Sequence, residues 1–248
     1  MGMIMKKYLL ILTALVSIFH ATAKDSQAPA DNDNSESTDN KITASLGVDL
    51  VNQYIWRGLY LGGVGVQPTL EVGYRGLSLS AWGNIGISKP EENKEIDLTL
   101  SYEFKGFSIS VTDYWLSEGN FFNWKSNSTP HVFGASVGYD FGVLAAEWFT
   151  NFAGNDGVKA NGSRAYSSYF MLSAPFTLGG LDWTGSFGFT PWETTYYETR
   201  GFAVTEIGLK AAKEFTIKNR FRIPIFGKLC ANPCSEKLYF VFGAGFYI

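Results

Sequence analysis

The chain has 248 residues, a formal net charge of −3, 16% aromatic residues, 27 glycines and only two histidines and two cysteines. A mildly acidic chain without a basic stripe or a run of like charge is a poor partner for nucleic acid, which excludes that class. Abundant Phe, Tyr, Trp and Gly beside four Met suit strands and tight turns rather than helices.

The first 23 residues (1–23) read as a secretory signal: Lys6 and Lys7, an apolar stretch from Tyr8 to Phe19, and the small-residue cleavage site Ala21-Thr22-Ala23. The apolar stretch is about a dozen residues, whereas a helix that spans a bilayer needs roughly 20, so cleavage rather than anchoring is expected. Residues 24–40 hold no large apolar side chain. Such a segment buries too little surface to offset the entropy of ordering, and a disordered tail is expected there, ahead of a single domain over 41–248.

From Ile42 the chain alternates in polarity. Candidate strands run Ile42 to Trp56, Val66 to Tyr74, Leu77 to Ile87, Glu95 to Phe104, Phe107 to Leu116 and Val132 to Phe141. Six more follow, at Val143 to Phe152, Ala165 to Phe176, Leu181 to Phe189, Phe202 to Glu214, Arg220 to Leu229 and Lys237 to Ile248. Arg75-Gly76, Lys105-Gly106, Gly142, Gly179-Gly180 and Lys218-Asn219 turn the chain tightly between alternate pairs. The other connections are long: a Gly-rich one at Leu61 to Gly65, one through Pro90 to Asn93, and those at Ser117 to Pro130, Gly154 to Arg164 and Pro191 to Gly201. An even strand number, strands of roughly 9 to 11 residues, and short turns at one end with long loops at the other follow the rule for barrels of the bacterial outer membrane.

The faces agree. The strand from Glu95 sets Ile96, Leu98, Leu100, Tyr102 and Phe104 against Asp97, Thr99, Ser101 and Glu103. A soluble sandwich would bury the apolar row under a second layer, and no amphipathic helix is present to cover it; lipid can. Tyr74, Tyr102, Phe104, Phe107, Tyr139, Phe141, Phe176 and Phe215 stand beside the short turns, where an interfacial aromatic girdle belongs. The expected fold is all-β: a transmembrane antiparallel barrel of about twelve strands in meander order. Strict alternation from Phe107 puts Asp113 on the lipid side, so a bulge near Thr112 is expected to turn it inward.

Catalytic motifs are thin. After loss of the signal, His131 is the single histidine, at the outer end of its strand, without a nearby His-x-Ser pattern. A rim histidine facing solvent or the interface is the plain reading, and a lipid-modifying enzyme the remote one. Cys230 and Cys234, in Cys-Ala-Asn-Pro-Cys, fall in the last outer connection of an exported chain, where a disulfide is expected; metal binding by this pair alone is weak. No metal, cofactor or catalytic residue is assigned.

Alternation sends Glu71, Glu147, Glu206, Lys210 and Arg222 inward, and these are the expected pore-lining charges. Acids spread around the wall face bases concentrated late in the chain, a transverse field by which a water-filled lumen sorts polar solutes. The alternative is that Glu206, Lys210 and Arg222 pair with one another and plug the interior.

The last strand places Ile248, Phe246, Ala244, Phe242, Phe240 and Leu238 in one row. It resembles the C-terminal signature of bacterial outer-membrane barrels, which implies recognition of Leu238 to Ile248 by the barrel-insertion machinery. Asn52 to Gly58, Asn-Gln-Tyr-Ile-Trp-Arg-Gly, with the following Pro-Thr-Leu-Glu-Val-Gly-Tyr strand, is similar to the opening of a family of short bacterial porins. That resemblance implies an outer-membrane location among lipid and lipopolysaccharide and a channel role for a small polar solute. It also implies that Tyr54, Arg57 and Gly58 shape the first outer loop. Arg57 could equally be a rim residue snorkelling to headgroups. A closed barrel that binds at the cell surface is the other class in play.

Overall fold

The computed structural model describes residues 41–87, 94–116, 119–218 and 220–248. The expected signal peptide, the tail and the connection through Pro90 to Asn93 lie outside the described residues. Every regular element described is a strand: β1 (Thr43–Val51), β2 (Tyr54–Trp56), β3 (Leu59–Gly62), β4 (Gly65–Tyr74), β5 (Leu77–Gly86), β6 (Lys94–Phe104) and β7 (Phe107–Trp115). They continue as β8 (His131–Asp140), β9 (Ala145–Gly154), β10 (Ser168–Leu178), β11 (Leu181–Thr190), β12 (Ala203–Ile217), β13 (Phe221–Asn232) and β14 (Lys237–Tyr247). Twelve of them close a barrel in which β4 to β14 follow in chain order and β1 pairs with both β4 and β14. Closure is completed where Leu46 and Ile248 exchange backbone hydrogen bonds of 3.2 and 2.9 Å. The barrel sheet closes on itself, which is the condition for a sheet to sit in hydrocarbon.

Side-chain alternation sorts the two faces as expected. Leu70, Leu100 and Phe242 are 51, 51 and 52% exposed on the outside, while Thr69, Ser101 and Val241 beside them are buried inside. The girdle aromatics beside the short turns are all exposed on the outer surface. Arg75-Gly76 and Lys105-Gly106 have positive φ at both residues, 50° and 81° in the first and 50° and 84° in the second. Both central residues in the left-handed region make the type I′ turn, whose twist matches that of the strands it joins.

Three expectations are corrected. The first candidate strand does not run to Trp56: it ends at Val51, and Tyr54 to Gly62 forms a separate hairpin, β2–β3, that is not part of the barrel wall. The eleventh strand runs to Asn232, so Cys230 is a wall residue and not a loop residue. No bulge occurs near Thr112, where β7 holds unbroken register with β6 and β8, Asp113 opposite Leu98 and Phe133. The irregularity lies instead in β8, between Phe133 and Gly134 against β9. Asp113 therefore stays on the outer face.

Candidate functional site: a lumen entered by its own first loop

A wall of twelve strands encloses more space than its own side chains fill, and diameter grows with strand number. Here the chain puts β2–β3 into that space. Arg57 and Gly58 form the two-residue turn of the hairpin, with φ of 51° and 78°, the same basic-Gly type I′ turn as at Arg75-Gly76. A Cβ on Gly58 would run into the backbone oxygen of Thr205 on β12, so the hairpin tip approaches the wall as only glycine permits. Asn232 on β13 donates from Nδ2 to the Gly58 carbonyl at 2.9 Å and holds the tip there.

The hairpin packs on several arcs of the barrel wall. Ile55 packs on Val51, Ala212, Phe226 and Val241, while Trp56 and Leu59 pack on Phe149, Tyr169 and Tyr197. Tyr54 lies 5.5 Å from the Trp82 ring on β5, and Trp56 lies 6.4 Å from Tyr114 on β7.

Arg57 is buried at the centre, 6% exposed. Its guanidinium sits 4.4, 3.9 and 4.8 Å from the rings of Trp56, Phe149 and Tyr169. It also donates through Nη1 to the hydroxyl of Tyr197. A desolvated cation over aromatic faces is worth about 2 kcal/mol. The rim position and headgroup snorkelling considered for Arg57 are thus corrected. Tyr197 belongs to the outer connection between β11 and β12, which carries Tyr196 beside it; burial pushes both phenols above their ordinary range, so both remain protonated. The connection between β9 and β10 braces this one: Ser167 and Thr194 hydroxyls lie 2.5 Å apart, and Thr195 N–H donates to the Val158 carbonyl at 3.1 Å.

The expected pore-lining charges are not brought together as one ring. Glu206 accepts from Lys228 and Ser186, both at 2.7 Å. Glu147 accepts from Ser136 at 2.8 Å. Lys210 lies over the Phe226 ring at 4.3 Å, Arg222 lies 3.9 Å from Glu214 near the inner end, and Glu71 stands between Ser45 and Ser80 in the ladder. Bases do oppose acids. Lys210 on β12 lies six strands around from β6, half the circumference, and β6 carries the buried Glu95 and Asp97. Between them runs a belt of hydroxyls in cross-strand contact: Ser78 with Ser101 at 2.6 Å, Thr99 with Thr112 at 3.0 Å and Ser110 with Ser136 at 2.8 Å.

Sequence reasoning missed Trp56, Phe149, Tyr169 and Tyr197 as partners of Arg57, because strand periodicity says nothing about where a loop folds. One signal was available: Arg57-Gly58 repeats the basic-Gly pair of the two short turns.

Two further expectations are corrected. The disulfide is not formed: both thiols are free, Cys230 buried on β13 and Cys234 exposed in the turn to β14, because one cysteine is held in the strand register opposite Gly208 and Tyr239. His131 is not a solvent-facing rim residue. It is fully buried on the outer face of β8, its Nδ1 2.8 Å from Asp113 and its Nε2 2.7 Å from the Phe121 carbonyl. Trp124 stacks on the ring at 4.1 Å.

A closed, even-stranded meander with an apolar, girdled exterior and a polar interior is a transmembrane β-barrel of the bacterial outer-membrane class. Solved structures with similar topology include the NanC porin, at 11% identity over 81% of this chain and 98% of that one with a TM-score of 0.48. An outer membrane channel from Pseudomonas putida F1 is 10% identical over 88% and 99% with a TM-score of 0.41. OmpF of Salmonella typhi, in a complex with daunomycin, is 10% identical over 85% and 98% with a TM-score of 0.38. No family model matches the chain, and no curated protein does. The assignment to the barrel class stands on the geometry above.

Proposed function

We propose that the protein is an outer-membrane channel for small hydrophilic solutes, narrowed at its outer half by its own first loop. The observation that supports this is the inner wall: Ser and Thr hydroxyls in lateral contact on β5 to β8, with Glu95 and Asp97 on β6 half the circumference from Lys210 on β12. Opposed charges on a polar wall set a transverse field that orients and sorts polar solutes. Lipid and lipopolysaccharide would surround the apolar exterior, and Leu238 to Ile248 would be the segment read by the insertion machinery.

The packing of Ile55 on β1 and β12 to β14 and of Trp56 on β9 and β10 favours a second reading, a barrel that stays closed and offers its outer loops as a binding surface. Conductance in planar bilayers separates the two. The refolded protein is expected to pass small currents, and replacement of residues 53–63 by a short Gly-Ser link is expected to raise unit conductance several-fold. If neither protein passes current, the channel reading is lost and the closed barrel stands.

A further inference from the structure

The outer wall carries a groove of about 410 Å³ over β4 to β7, and its origin lies in two residues. Pro68 on β4 has no N–H for its neighbour, and the β4–β5 ladder records no pair between Val66–Ile85 and Thr69–Trp82. Gly83, opposite Pro68 in that gap, has no side chain to fill the space. The floor is therefore Gly83 and Ala81, between walls of Leu46, Leu70, Ile85 and Ile96.

One cation stands at the outer end of this apolar trough. Lys94, exposed at the outer start of β6, lines it two residues above Ile96. Trp115, at the outer end of β7 and opposite Ile96, adds its ring to the lining, with its indole N–H buried. An aliphatic trough with an ammonium at its outer end matches one chemistry: hydrocarbon below, anionic oxygen above.

We infer that this groove is a binding site for one acyl chain of a phosphate-bearing lipid in the outer leaflet, with Lys94 engaging the headgroup oxygens, the Trp115 ring flanking the chain, and Gly83 and Ala81 admitting it. The site lies on the lipid face and does not depend on the lumen, so it stands apart from the channel reading. Its occupant is taken to be a lipid rather than a second barrel because a cation at the groove's outer end complements phosphate.

The test is native mass spectrometry of the refolded full chain in a neutral detergent, titrated with phosphatidylglycerol or phosphatidylcholine. One phosphatidylglycerol should be retained in preference to phosphatidylcholine. Lys94→Ala should weaken retention by roughly fivefold, the loss of one cation near a headgroup. Gly83→Leu should abolish it by filling the trough. Because a Cβ at Gly83 comes within 3.1 Å of the Glu95 carbonyl oxygen, Ala81→Leu serves as a second filler that leaves that strand contact alone. Lys213→Ala, an exposed cation near the other end of the barrel, should retain lipid as the parent does. Equal retention by the parent, Lys94→Ala and both fillers would overturn the site. So would equal retention of the two lipids, or a dimer of the chain that either filler abolishes in place of a lipid adduct.

Discussion

The first and third outer connections handle charge in opposite ways. The first folds inward and carries Arg57 into the lumen, where aromatic faces and the Tyr197 hydroxyl replace water. The third folds outward over the wall and covers an acid that the strand pattern leaves toward lipid: Phe121 and Trp124 close over His131, which holds Asp113. A carbonyl at one ring nitrogen and a carboxylate at the other hold the imidazole in place beneath the loop. The lesson is that a long outer loop can serve as local solvent for a charge on either side of the wall.

The comparison breaks most visibly if the inward loop is removed, where the several-fold rise in unit conductance described above is the expected result. Next is Arg57→Ala, which takes a desolvated cation from three rings and leaves the Tyr197 hydroxyl without its donor. Heat or urea unfolding from lipid vesicles should show a loss of about 2 to 4 kcal/mol. Arg57→Lys should restore less than half of that, because an ammonium cannot lie flat against Trp56 and Phe149. For the outward loop, His131→Ala leaves an uncompensated carboxylate toward lipid and should cost about 2 kcal/mol in the same assay. Adding Asp113→Leu should recover most of the loss; if it recovers nothing, the outward loop is not there to hold the acid. The smallest effect concerns the cysteines: a maleimide reagent should label Cys234 quickly in the folded barrel and Cys230 only after unfolding, with no change in gel mobility on reduction.

Much of the wall is legible in the amino-acid sequence. Lipid demands an apolar residue at every second position, so rows such as Ile96, Leu98, Leu100 and Tyr102 declare both the strand and the side it presents. Arg75-Gly76 and Lys105-Gly106 declare their turns, because a type I′ turn needs positive φ twice. The site was less legible. Glu71, Glu147, Glu206, Lys210 and Arg222 all follow the inward register, yet their partners differ, since each pairs with what a neighbouring strand offers at its own height. For Asp113, a bulge is the only remedy visible within one strand, whereas the remedy used is a histidine on the next strand and a loop folded over both.

The amino-acid sequence by itself determined the barrel: strand number, meander order, faces and the end at which the turns are short all follow from local periodicity and turn chemistry. Only the tertiary structure decided what fills and covers that barrel. Arg57 meets Phe149, Tyr169 and Tyr197, residues about 90 to 140 positions away along the chain, and no local pattern encodes such a meeting. It arises because a twelve-stranded wall leaves room inside and the first loop is short enough, and apolar enough at Ile55, Trp56 and Leu59, to be driven into it.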